Sequence, residues 1–304
     1  METANSTVSV AQGFDSTKVK YKTISIESQD IFYREAGSPD KPTLLLLHGF
    51  PTSSHMFRNL INALSGKYHL VAPDYPGFGN SSMPLVSEFE YTFDHLADII
   101  DQFIKALGLT KYSLYTMDYG APVGYRLAVR HPENVQALLI QNGNAYEDGL
   151  SPFWDKVKEF WANPDTAENI AFADTMVLPE STKWQYHTGV RDIAAIGPDA
   201  IALDQLGLDR PGNAAIQRAL LYDYRTNPGE YPKWQAYFRE YQPAALITWG
   251  KNDEIFPIEG AYAYQKDLKN TELHALNTGH FALEEDGDLI ATLIDQFLAK
   301  NNIR

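Results

Sequence analysis

Thr43–Leu47 is an unbroken apolar run of strand length, and this feature narrows the fold more than any other. A strand without a polar face must be covered on both sides, and a parallel sheet flanked by helices provides that cover. His69–Ala72 repeats the pattern, and Tyr112–Met117, Val135–Ile140, Ala244–Trp249 and Leu273–Leu276 are further strand candidates. Between them lie helical stretches. In Phe93–Ala106 the residues Leu96, Ile99, Ile100 and Phe103 fall on one face, and Ala121–Arg130 also reads as a helix. Two shorter strand-like segments, Val19–Ile26 and Ile31–Glu35, precede this series. Alternation at this spacing predicts an α/β fold with a mostly parallel central sheet and helices on both faces.

Residues 145–232 break the rhythm. They are rich in Trp, Tyr, Asp and Pro and read as several short helices without buried strands. The expected organisation is a core in two parts, residues 1–144 and 233–304, with a helical cap inserted between them. A chain of 304 residues is near the upper limit for one hydrophobic core, which agrees with this division.

Charge and composition exclude several functions. Lys and Arg number 25 against 39 Asp and Glu, a net charge of −14 that would repel phosphate backbones, so no nucleic-acid partner is expected. The chain has no cysteine, which excludes disulfides, thiolate metal sites and thiol nucleophiles. Met1–Ser16 is polar and lacks the basic start and apolar core of a signal peptide. The longest apolar run, Leu44–Leu47, falls far short of the roughly 18 residues a membrane helix needs. A cytoplasmic protein without a membrane partner is expected. The histidines show no metal-ligand spacing, and Pro76-Gly77-Phe78-Gly79 lacks the lysine of a phosphate loop, so neither metal nor cofactor is expected.

Three loops that follow strands carry chemistry-bearing residues. Thr116-Met117-Asp118-Tyr119-Gly120-Ala121 lies between a strand and a helix, with small residues at 120 and 121. That is the pattern of a nucleophile elbow, a tight turn that lifts its central side chain above the sheet. The helix N-terminus beyond it favours a carboxylate at 118, although an Asp there can also simply cap the helix. Gly250-Lys251-Asn252-Asp253 follows a second strand, and Asn277-Thr278-Gly279-His280-Phe281 a third. His48-Gly49-Phe50-Pro51 follows Thr43–Leu47, where the backbone N–H of Phe50 can meet that of Tyr119 in an oxyanion hole. Asp118, Asp253 and His280 thus occur in the order nucleophile, acid, histidine. Asp74, with Gly77 and Gly79, is read as a turn-forming residue of the fold.

From about Val19 to Phe297 the chain resembles the α/β-hydrolase superfamily, and within it the branch of epoxide hydrolases and haloalkane dehalogenases. The residues that carry the resemblance are His48-Gly49-Phe50-Pro51, Asp74-Tyr75-Pro76-Gly77-Phe78-Gly79, Asp118-Tyr119-Gly120, Gly250-Lys251-Asn252-Asp253 and Gly279-His280. The resemblance implies the α/β-hydrolase fold with an inserted cap, and Asp118, Asp253 and His280 as a catalytic triad. A carboxylate is already ionised at neutral pH and suits displacement at a saturated carbon. His280, oriented by Asp253, would then activate water against the resulting ester. The substrate would be a small apolar molecule, with His48, Pro51, Trp184 and Phe281 along the pocket, and the protein a monomer or homodimer.

The leaving group divides the branch. Dehalogenases usually supply N–H donors to the halide from a Trp after the nucleophile, with an Asn after His-Gly or a second Trp from the cap. Here those positions are Tyr119 and Phe50, so a cap tryptophan, Trp161 or Trp184, would have to compensate. Epoxide hydrolases protonate the departing alkoxide from two cap tyrosines. Tyr222-Asp223-Tyr224-Arg225-Thr226-Asn227 resembles their motif and nominates Tyr224, with Tyr186 in Lys183-Trp184-Gln185-Tyr186-His187 as the second. Epoxide hydrolysis to a diol is therefore expected ahead of haloalkane or haloacid dehalogenation. A haloacid would need a cation in the pocket, with Arg58 and Arg191 as candidates. A non-catalytic sensor on the same scaffold is the rival from another class.

Overall fold

The central apolar run forms β3 (Thr43–Leu47), and all five of its residues are buried within an eight-stranded sheet. Leu44 and Leu46 join the hydrophobic layer on one face, and Leu45 and Leu47 the layer on the other. This is the period of two expected of a strand covered on both sides. Each such leucine contributes about 1.5–3 kcal/mol of burial. The computed structural model describes residues 19–303; the polar segment 1–16 lies outside them.

The other strands are β1 (Lys20–Ile26), β2 (Gln29–Ala36), β4 (His69–Pro73), β5 (Tyr112–Met117), β6 (Val135–Gln141), β7 (Ala244–Gly250) and β8 (Thr271–Leu276). Their order across the sheet is β1-β2-β4-β3-β5-β6-β7-β8. β1 and β2 pair antiparallel, β2 joins β4 antiparallel, and the six strands from β4 to β8 run parallel. The fold class is thus α/β, and the topology is that of the α/β-hydrolase fold. Helix Phe93–Ala106 buries Leu96, Ile99, Ile100 and Phe103, and the Thr92 hydroxyl caps its start by accepting from the His95 N–H. None of the described helices is long and apolar enough to cross a membrane.

Between β6 and β7 the chain forms helices Phe153–Ala162, Ala167–Thr175, Pro179–His187, Pro198–Leu208 and Asn213–Asp223, with no strand among them. They lie beyond the carboxyl ends of the parallel strands, where open α/β sheets bind ligands. Position 232 falls inside a further helix, Asn227–Tyr241. Trp234 and Phe238 of that helix pack against Tyr125, at ring distances of 5.5 and 5.3 Å. Tyr125 belongs to helix Gly120–Arg130, which flanks the sheet, so Asn227–Tyr241 lies in the core layer.

Candidate active site

Asp118 follows the last residue of β5 with φ 49°, in the left-handed region that non-glycine residues rarely occupy. The strain is local and positions the carboxylate above the sheet, as a strand–turn–helix elbow does. Two glycines permit it. A Cβ on Gly49 would collide with the Asp118 side chain, and one on Gly120 with the Leu47 carbonyl. Close approach of backbone therefore fixes glycine at both positions.

The Phe50 N–H donates to Asp118 Oδ1 at 2.6 Å, and the Tyr119 N–H bonds the same carboxylate. The two backbone donors of an oxyanion hole thus converge on one carboxylate. On its other side, His280 Nε2 lies 3.9 Å from Asp118 Oδ2. That nitrogen is buried and has no hydrogen-bond partner among the described residues. The opposite ring nitrogen, Nδ1, donates to Asp253 Oδ2 at 2.7 Å. Asp118, Asp253 and His280 come from the ends of β5, β7 and β8, so the sheet brings together three residues separated by up to 162 positions (280 − 118).

The electrostatics are those of a buried charge cluster. Burial pushes the Asp118 carboxyl up; the His280 charge and the two N–H groups oppose this, Asp253 adds repulsion, and the net shift is upward. Burial works against a charged His280. The Asp253 charge and hydrogen bond, helped by Asp118, outweigh it and hold the imidazole above the usual histidine range.

Asn142, at the end of β6 with φ 41°, is a residue the sequence did not single out. Its Nδ2 donates to Asp253 Oδ2 at 2.8 Å and to the Gly250 carbonyl at 3.2 Å, while its Oδ1 accepts from the Gly250 N–H at 2.9 Å. The Ile255 N–H fills Asp253 Oδ1 at 2.8 Å. Asn142 thereby fixes the carboxylate that orients His280. Asn142→Ala should lower stability by about 1–3 kcal/mol, because the buried Gly250 N–H loses its partner. It should also lower kcat more than it raises KM; chemical denaturation and steady-state kinetics check both effects.

Asp118 opens onto a cavity of about 70 Å³ lined by Phe50, Tyr119, Phe153, Trp154, Met176, Ser181, Trp184, Gln185, Gln217, Leu221 and Ile255. Ligand pockets typically measure about 300–1,000 Å³, so this one suits a very small molecule. Trp184 lies on the wall. His48, Pro51 and Phe281 do not. His48 is fully buried, with Nδ1 donating to the Gly49 carbonyl at 2.9 Å and Nε2 accepting from the Tyr75 N–H at 3.2 Å, so it braces the turn. Pro51 faces a separate cleft on the Asp204 side of the cap. Phe281 stacks on Tyr186 at 4.3 Å, behind His280.

The two cap tyrosines also stand elsewhere. The Tyr186 hydroxyl donates to Asp204 Oδ2 at 2.6 Å and is committed within the cap. Tyr224 sits one ring behind the wall, its centroid 6.0 Å from that of Tyr119 and 4.5 Å from that of Trp154. Its hydroxyl donates to Tyr231, which in turn accepts from Asn144 Nδ2 at 3.1 Å. Burial raises the Tyr224 pKa well above that of a free phenol. The arginines are paired away from the cavity: Arg58 with Glu284 at 2.7 Å, Arg191 with Asp286 at 2.8 Å. Asp74, read as a turn former, accepts from the Ser54 and Asn80 N–H groups at 2.7 and 2.8 Å and so ties the loops below the site.

Comparison with known proteins agrees with this architecture. Residues 42–177 match the family model described as the alpha/beta hydrolase fold. An uncharacterized hydrolase of Saccharomyces cerevisiae is 42% identical over 284 residues, covering 91% of this chain and 97% of the relative. A haloalkane dehalogenase of Agrobacterium fabrum is 28% identical over 280 residues, covering 84% and 85% of the two chains. Epoxide hydrolase 1 of Caenorhabditis elegans is 25% identical over 300 residues, covering 96% of this chain and 72% of the relative. The chain therefore belongs to the α/β-hydrolase superfamily, on the branch shared by epoxide hydrolases and haloalkane dehalogenases, and is a hydrolase.

Proposed function

We propose that this hydrolase opens small epoxides to diols through a covalent ester on Asp118. The observation that carries the reading is the set of donors around the cavity. Trp154 donates its indole N–H to the Ile255 carbonyl at 3.0 Å, and Trp161, beside it, donates to the Leu221 carbonyl at 2.8 Å. A departing halide would find these two donors already engaged. Phenols stand near the carboxylate instead, Tyr119 on the wall and Tyr224 against it. No Lys or Arg lines the cavity, which disfavours a haloacid.

In this reading Asp118 Oδ2 attacks one epoxide carbon, the ring C–O bond breaks, and the ring oxygen takes a proton from Tyr224, whose hydroxyl turns from Tyr231 to the substrate for this step. His280 then removes a proton from water, and the hydroxide attacks the ester carbonyl. The charge that develops on Oδ1 is held by the N–H groups of Phe50 and Tyr119. The intermediate collapses, Oδ2 leaves with the diol, His280 returns its proton to that oxygen, and the carboxylic acid left on Asp118 gives its proton back to the Tyr224 phenolate. Tyr186 takes no part, because its hydroxyl is bonded to Asp204.

The test compares leaving groups. Tyr224→Phe should slow alkylation by an epoxide by about 10-fold or more, since a positioned acid supplies about 10²–10⁴-fold. Alkylation by a haloalkane should change far less, because a halide leaves as a stable anion. Rapid-mixing rates on both substrates decide. Equal small effects would make Tyr224 a packing residue and favour the dehalogenase reading, with the Trp184 indole on the wall as its donor.

A further inference from the structure

Gln217 is a buried polar residue beside Ile216, Leu220 and Leu221 on the inward side of a cap helix. Helix Asn213–Asp223 turns Ile216, Leu220 and Leu221 inward, and Gln217 shares their side. It is 3% exposed, and neither Nε2 nor Oε1 has a hydrogen-bond partner among the described residues. Native interiors rarely leave a buried amide unpaired at both ends. The side chain lines the same small cavity as Asp118, so a molecule within reach of the carboxylate is also within reach of the amide. Leucine or methionine would fill this position without an unpaired group.

The chemistry of the amide defines what would satisfy it. Nε2 donates and Oε1 accepts. An epoxide oxygen only accepts, so a plain alkyl epoxide leaves Oε1 unpaired. A hydroxyl both donates and accepts and can serve either end. We propose that Gln217 is a specificity-determining residue that selects small epoxides carrying a hydroxyl group, the 2,3-epoxy alcohols; the inference rests on the epoxide reading of the site. Discrimination arises because a buried polar group left unpaired penalises the analogue that lacks the hydroxyl.

The experiment uses pairs of molecules of equal size. 2,3-Epoxypropan-1-ol and 1,2-epoxybutane differ by a hydroxyl in place of a methyl group. The wild-type enzyme should prefer the alcohol by about 10-fold or more in kcat/KM, and Gln217→Leu should remove that preference. Gln217→Leu should also raise the melting temperature, because an unpaired amide leaves the interior; Gln217→Met serves if the leucine variant fails to fold. Binding of propane-1,2,3-triol and butane-1,2-diol, followed by calorimetry, repeats the comparison without turnover. A preference for the triol that Gln217→Leu abolishes, with both epoxides left unreacted, would overturn the epoxide reading and retain the hydroxyl subsite. Equal handling of both members of each pair by wild type and variant would overturn the role of Gln217.

Discussion

Asp118→Asn should lower turnover by about 10⁴-fold or more, the scale seen when a triad nucleophile is removed. Asparagine is the informative replacement. It tolerates the left-handed backbone that holds φ at 49°, and it keeps the shape of the side chain between Gly49 and the Phe50 N–H. What it removes is the charge that attacks carbon in the proposed reaction. Loss of activity with unchanged thermal unfolding therefore reports chemistry and not folding. An isotope experiment separates covalent from direct attack. With enzyme in excess and ¹⁸O-water, one turnover should place label in the Asp118 carboxylate and none in the diol, because Oδ2 leaves with product and water replaces it. Label in the diol after that single turnover would mean that water attacks the substrate directly.

The three residues at the strand ends were legible because their signals are local: each follows a strand whose apolar run is visible in the chain, and each lies in a short loop. Asp118, Asp253 and His280 could be placed by order alone; the Phe50 N–H donates to Asp118 at 2.6 Å, His280 bonds Asp253 at 2.7 Å, and His280 Nε2 stands 3.9 Å from Asp118. The strands were legible for the same reason, with ends misplaced by a residue or two. β8 starts at Thr271, ahead of the apolar run at Leu273, because Thr271 pairs with Ala245 at the sheet edge. The cavity wall was far less legible. It is assembled from four segments of the cap and three loops of the core, and which face of a short cap helix turns inward depends on packing that sequence periodicity does not encode. Thus Tyr186, named from the resemblance as the second cap donor, turned toward Asp204, while Gln185 beside it reached the cavity. Gln217 carried a faint signal, a polar residue between Ile216 and Leu220. Asn142 carried none, since its importance rests on contact with a loop 108 positions away (250 − 142).

His280→Gln should separate the two halves of the reaction. Attack by an ionised carboxylate needs no base, so alkylation should proceed, whereas breakdown of the ester should slow by about 10²–10⁴-fold or more. Intact mass would then rise by the mass of one substrate molecule, since an epoxide adds without losing an atom, and the adduct should map to Asp118. A haloalkane would instead add only its alkyl fragment, so the same measurement also reports the leaving group. The pH dependence follows from the neighbours of His280. In the proposed reaction the base is the neutral imidazole, so ester breakdown in the wild type should weaken as pH falls through the pKa of His280 in the ester, which Asp253 still holds up against burial. Esterification cancels the Asp118 charge and leaves Asp253 as the group that holds the imidazolium against burial. Asp253→Asn removes that support. Breakdown should become slower at every pH, because the ring loses the carboxylate that orients it, yet its acid limb should move to lower pH, because burial now acts unopposed on the charged form. Single-turnover decay of the ester across pH reads both changes. An acid limb that stays in place in Asp253→Asn would mean that a group other than His280 governs the water step.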